Sequence, residues 1–211
     1  MTPVEYMETL ATKYHVGQTR KDKKTPYIAH PAAVVSRLRA WGIDEKKGED
    51  DIVSLAVGWG HDLLEDTEVS EDEILAAGEI GLRILAGIKR LTFKPDYGPE
   101  LTNAEYDKLK QSYLSDVAKS APPEILIVKI ADRLCNSMDF VALYRYDKAQ
   151  SYVRAGIPLF DQIPRIRGEV GETVKSDVDA TMAEIDRIVV MDDAWERLSG
   201  GSELHDNYEG D

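Results

Sequence analysis

Apolar residues recur every three to four positions along most of the chain, and capping and turn residues punctuate them, which predicts a succession of helices. Thr2-Pro3-Val4-Glu5 combines an N-cap, a proline suited to the first helical turn and a glutamate three residues on, predicting a helix over Pro3–Tyr14. A second is expected from about Ala29 to Trp41, with Pro31 in its first turn and Gly42 stopping it. A third, capped by Asp50 or Asp51, carries GWGHDLLED at 58–66. Ser70-Glu71-Asp72-Glu73 repeats the capping box for a short helix ending near Gly78, and Glu79–Leu91 follows. Thr92 to Thr102, with Pro95, Gly98 and Pro99, reads as a loop.

Asn103 is the expected cap of a helix to about Lys119, and Pro122-Pro123 opens another that passes through KIADRLCNSMDF. Helices over about Leu159–Val170 and Asp177–Leu198 complete the series. Alternating strand patterns are nearly absent; ILIVKI at 125–130 is apolar enough for a strand, but its continuation keeps the helical period. The expected fold is all-α with about eight to ten helices, residues 1–198 forming one domain and 199–211 an acidic, frayed tail.

Composition narrows the chemistry. The 211 residues carry a formal charge of −13, which argues against a nucleic-acid partner, and seven of the acids fall in residues 192–211. The sequence has neither a run of about 18 apolar residues nor a secretory start, so a cytoplasmic protein without a membrane partner is expected. With Cys135 as the only cysteine, any metal must be held by His, Asp or Glu. Oligomeric state is not readable.

Candidate chemistry gathers at four places. If the third helix continues through residue 66, His61, Asp62, Glu65 and Asp66 fall at roughly 0°, 100°, 40° and 140° around it, on one face. Gly58 and Gly60 suit close helix packing, or they end the helix early. Asp132 and Asn136 share a face of a largely apolar helix, with Lys129 and Arg133 beside them. His30 in TPYIAHP is either a satisfied core histidine or a ligand. His30, His61, Asp62 and Asp132 together offer two nitrogens and two oxygens, a set suited to Mn²⁺, Fe²⁺ or Zn²⁺ better than to Mg²⁺ or Ca²⁺. Arg20-Lys21-Asp22-Lys23-Lys24 is either a solvated loop or a phosphate clamp.

GQTRKDKKTPYIAHP, HDLLEDT and VKIADRLCN stand in the order and approximate spacing of the hydrolase domain of the RelA/SpoT family, within the HD-domain phosphohydrolases, and the resemblance covers roughly Met1 to Leu143. It implies a Mn²⁺ ion on His30, His61, Asp62 and Asp132, water positioned and activated by Glu65 and Asp66, and a nucleotide substrate held by Arg20, Lys21 and Asn136. The implied reaction removes the 3′-pyrophosphate of ppGpp or pppGpp. Gly58-Trp59-Gly60 and Met138 depart from the family's pattern. Hydrolysis of another nucleotide, such as a deoxynucleotide or NADPH, and a non-catalytic nucleotide-binding role are the competing readings.

Overall fold

The computed structural model describes residues 1–94 and 102–199. Among them are eleven α-helical segments, two of only four residues, and no strand beyond the single bridge between Thr19 and Pro26. Helix α1 (Pro3–Tyr14) carries the expected capping box at Thr2 and Glu5. Helix α2 (Ala29–Ala40) stops where Gly42 takes φ +92°, a left-handed turn that glycine adopts without strain.

Helix α3 (Glu49–Gly60) is the centre of the fold, packed by α1, α2, α6 (Gly81–Leu91) and α8 (Pro123–Ala142). Its run from Val53 to Gly58 is buried throughout. The glycines serve close packing: a Cβ on Gly60 would lie 2.6 Å from Met7 Cε and 2.7 Å from Ile88 Cδ1. The helix nevertheless ends there, beginning at Glu49 behind Gly48 rather than behind an aspartate cap, and a turn at His61-Asp62 separates it from α4 (Leu63–Asp66). The single continuous helix expected through residue 66 is therefore corrected to two.

Helix α5 (Glu71–Leu75) has its capping box, and α7 (Asn103–Ser120) is capped by Thr102 rather than Asn103. Helix α8 runs through the apolar stretch at 125–130, as its period predicted. The C-terminal part departs most from expectation. Helix α9 (Tyr146–Arg154) was not anticipated, the helix expected over 159–170 is replaced by α10 (Ile157–Phe160) and a 3₁₀ turn (Ile163–Arg165), and the last helix, α11, starts at Gly168 and runs to Ser199. Pro158 and Pro164 each open a new short turn instead of continuing an old one. Asp177 ties α11 to α2, accepting from Trp41 Nε1 at 2.8 Å. The expected tail from 200 onward, and residues 95–101 of the expected loop, lie outside the described residues.

Candidate metal centre and its cavity

The first turn of α2 brings His30, the α3–α4 turn brings His61 and Asp62, and the middle of α8 brings Asp132 to one point. His30 Nε2 lies 3.3 Å from His61 Nε2, 3.1 Å from Asp132 Oδ1 and 3.7 Å from Asp62 Oδ2. His61 Nε2 lies 3.1 Å from Asp62 Oδ2 and 3.7 Å from Asp132 Oδ1. Both imidazoles and Asp132 are buried. Donors about 2.0–2.2 Å from a common ion stand roughly 3–4 Å apart, so these spacings fit a divalent cation. The tightest group is His30, His61 and Asp62, whose ligand atoms all fall within 4.8 Å of one another, with Asp132 completing it from the imidazole side.

The hydrogen bonding around His61 strengthens the fit. Gly58 is in the last turn of α3, where carbonyls lack helical partners, and its oxygen accepts from His61 Nδ1 at 2.8 Å. That bond puts the neutral ring's proton on Nδ1, so the Nε2 lone pair faces a carboxylate oxygen and a second imidazole nitrogen. Lone pairs confronting lone pairs at 3.1–3.3 Å need a positive charge between them. The same field acts on protons: burial alone would lower His61, yet Asp62 lifts it to about 9.

Lys129 and Asn136, one turn to either side on α8, donate to Asp132 at 2.9 Å and 2.5 Å. Burial would raise Asp132, but Lys129 and the imidazoles hold it well below the usual carboxylate range. The pairing with Lys129 is thus made on a carboxylate only 3% exposed.

Glu65 Oε2 accepts from the Phe93 backbone N–H at 2.9 Å, and burial raises its pKa above the ordinary value. Asp66 takes a different partner: the Tyr27 hydroxyl lies 2.8 Å from Asp66 Oδ2 and 2.8 Å from Asp62 Oδ2. Tyr27 stacks on buried His15 with ring centroids 4.6 Å apart, while Gln18 links His15 Nδ1 to the Asp66 carbonyl. Tyr27 joins a metal-side carboxylate to Asp66, a role unnoticed in the motif TPYIAHP although it stands three residues before His30.

The basic segment at 20–24 is an ordered turn. Asp22 accepts from the backbone N–H groups of Lys24 and Thr25 and from the Thr25 hydroxyl, and these bonds depress its pKa to about 2. The turn sends Arg20 to Asn136 Oδ1 at 2.9 Å and to Asp139, and Lys21 to the face of Phe140 at 3.9 Å.

A cavity of about 490 Å³ opens onto Asp62, Glu65, Asp66 and Asp132 and is walled by Arg20, Lys21, Tyr27 and Asn136. It is also lined by Lys110, Arg133, Arg145, Lys148 and Tyr152, of which the sequence pointed only to Arg133. The segment after residue 143 thereby enters the site. Its signal was available: Lys148 and Tyr152 stand four apart, on one face of a helix that begins directly after Arg145. A larger cavity of about 700 Å³ lies across Arg20, lined by Met138, Asp139 and Asp177, and meets only His30 of the four candidate ligands.

A family model described as "HD domain" matches residues 8–163. A probable guanosine-3′,5′-bis(diphosphate) 3′-pyrophosphohydrolase of Synechocystis sp. is 35% identical over 130 residues, 61% of this chain and 15% of that protein. The human guanosine-3′,5′-bis(diphosphate) 3′-pyrophosphohydrolase MESH1 is 32% identical over 130 residues, 61% of this chain and 64% of its own length. The chain thus spans less than two thirds of either relative. A solved structure described as "A metazoan ortholog of SpoT hydrolyzes ppGpp and plays a role in starvation responses" has the same fold, with a TM-score of 0.63 at 19% identity, covering 89% of this chain and 95% of that one.

Proposed function

This chain belongs to the HD-domain family, and on that premise we propose that it hydrolyses the 3′-pyrophosphate of ppGpp and pppGpp, releasing pyrophosphate with GDP or GTP. The observation that carries the reading is the confrontation of His30, His61, Asp62 and Asp132 at 3.1–3.7 Å at the edge of a cation-lined cavity. The activity for which the pyrophosphohydrolase relatives are named supports the choice of substrate.

The four side chains would hold Mn²⁺, to which mixed imidazole and carboxylate donors are suited. Bound there, such an ion would supply Lewis acidity, the kind that lowers the pKa of a coordinated water from about 15.7 toward neutrality. Glu65 has one oxygen fixed by Phe93, leaves the other for water, and its raised pKa favours accepting a proton near neutral pH. Asp66 and Asp62 are held in register by Tyr27. Arg20 and Lys21 offset phosphate charge, and Asn136 orients Arg20 toward the ligands. No helix among the described residues is long and apolar enough to cross a membrane. Incubation of purified protein with Mn²⁺ and ppGpp should release pyrophosphate and GDP in equal amounts; release of orthophosphate alone, or turnover only of other nucleotides in a panel, would refute the assignment.

A further inference from the structure

Helix α11 is apolar on two opposite faces. Val174, Val178, Ile185 and Val189 are buried against the body, and among the described residues Val189 is the last in the helix to be so. At about 100° per residue, the opposite side carries Ala180, Ala183, Val190, Met191, Ala194 and Leu198, a stripe about 27 Å long. Val190 is 63% exposed, Met191 58%, Leu198 85% and the neighbouring Trp195 66%. The charge that interrupts the stripe, Arg187, is neutralised within the helix: it donates to the two carboxylate oxygens of Glu184 at 2.9 and 2.7 Å and reaches Met191 Sδ at 3.1 Å.

A helix apolar on both sides ordinarily has a neighbour on each. The four large exposed side chains present on the order of 500 Å² per copy, as much as the largest apolar patch usual on a monomer. With the three alanines and Tyr144 the face approaches the about 800 Å² that each partner gives to a stable interface. Tyr144 is 71% exposed and held at φ +58°, a conformation that costs energy for a bulky side chain. It stands at the same end of the fold, because α9 runs antiparallel to α11: Gln150 and Arg154 bond to Asp186, and burial and then Asp192 raise the pKa of Tyr146. A lipid surface would call for Lys and Arg beside the apolar stripe, whereas α11 flanks it with Asp179, Asp186 and Asp193.

We propose that this face is a homodimer interface, in which the α11 helices of two copies cross antiparallel at Val190 and Met191. A twofold axis there makes the stripe its own complement. Arg187 of each copy comes toward the end of the other helix that holds Asp192 and Asp193, and the two helix dipoles oppose each other. Parallel pairing would instead set Arg187 beside Arg187 and Asp193 beside Asp193, like charge against like. The dimer does not depend on the reaction proposed above.

Sedimentation equilibrium of the full chain should show a dimer of 23.6 kDa copies at micromolar concentration. Met191→Glu, with its fold checked by circular dichroism, should weaken that dimer by about a hundredfold or more, since each copy would bury a new carboxylate in the interface. Oxidative cross-linking tests the direction, with the wild type and its lone Cys135 as control. Val190→Cys should link two copies, whereas Leu198→Cys should not, because antiparallel helices hold its two copies about 24 Å apart. A monomeric wild type at about 100 µM overturns the proposal, as does a dimer indifferent to both Met191→Glu and Leu198→Glu. Cross-linking at both cysteine positions, or at neither, overturns the antiparallel crossing. A monomer that floats with phosphatidylcholine vesicles would also overturn the dimer and give the face to lipid.

Discussion

Toward α2 and α4, α8 presents Asp132 to Lys129, His30 and His61, and charges there meet opposite charges or lone pairs that a cation can satisfy. Toward α9, the same helix presents Arg133 and Phe140 to Arg145, Lys148 and Tyr152, and among the described residues the cations there face rings. Under the proposed function the first wall would retain an ion, because His30, His61 and Asp132 are buried and His61 and Asp132 have hydrogen-bond partners of their own. The second, where cations face rings, would under the proposed function take a group that enters and leaves at every turnover. Buried pairs of the first kind make removal of one member costly, whereas single changes in the second mainly alter affinity.

The comparison can be broken most forcefully at Asp132. Asp132→Ala should lose the cation and all measurable turnover. It should also destabilise the fold by about 3–5 kcal/mol, because Lys129 is left buried without its counter-charge. Elemental analysis and urea melts would report both, and a variant that kept its metal would end the ligand assignment. Glu65→Gln is the next largest change: metal content should be unaltered while kcat falls by about 10²–10⁴. Normal turnover in that variant would deny Glu65 its proton.

Tyr27→Phe removes the hydroxyl between Asp62 and Asp66 and should weaken metal affinity by about 10–100-fold, as loss of an outer partner of a ligand does. Chelator competition measures it, and an unchanged affinity would make Tyr27 mere packing. The smallest effect belongs to the second wall. Burial and the neighbouring Arg20 lower Lys21 to about 8, so its cation is lost as pH rises through that value. The kcat/KM profile should accordingly fall above pH 8 by up to about tenfold, and Lys21→Arg, which stays charged, should carry the falling limb upward. The acid limb lies above 4.5, the ordinary Glu65 value, since that group must be deprotonated to act.

Local signals predicted much of this. The capping boxes at Thr2 and Ser70 are present as read, and the apolar period through Ile127 and Ile130 gives the helix that carries Asp132. The convergence of His30, His61, Asp62 and Asp132 was legible only because their motifs occurred together; none of the four is decisive alone. The turn at His61-Asp62 was harder, since Gly58 and Gly60 fit equally a packed helix and an ended one, and the structure uses both properties. Residues 144–170 were misread for another reason. Their prolines break the period repeatedly, and Arg145 and Lys148 acquire meaning only opposite Phe140, from which they stand five and eight positions away on another helix.

Helix α8 has one further consequence. Its 20 residues form a stiff rod of about 30 Å, on which Asp132 and Arg133 are adjacent. A displacement that draws Arg133 toward a bound phosphate necessarily carries Asp132 with it. If loading of either compartment adjusts the rod, the other feels it, and reciprocity demands that nucleotide tighten the ion by the same factor as the ion tightens nucleotide.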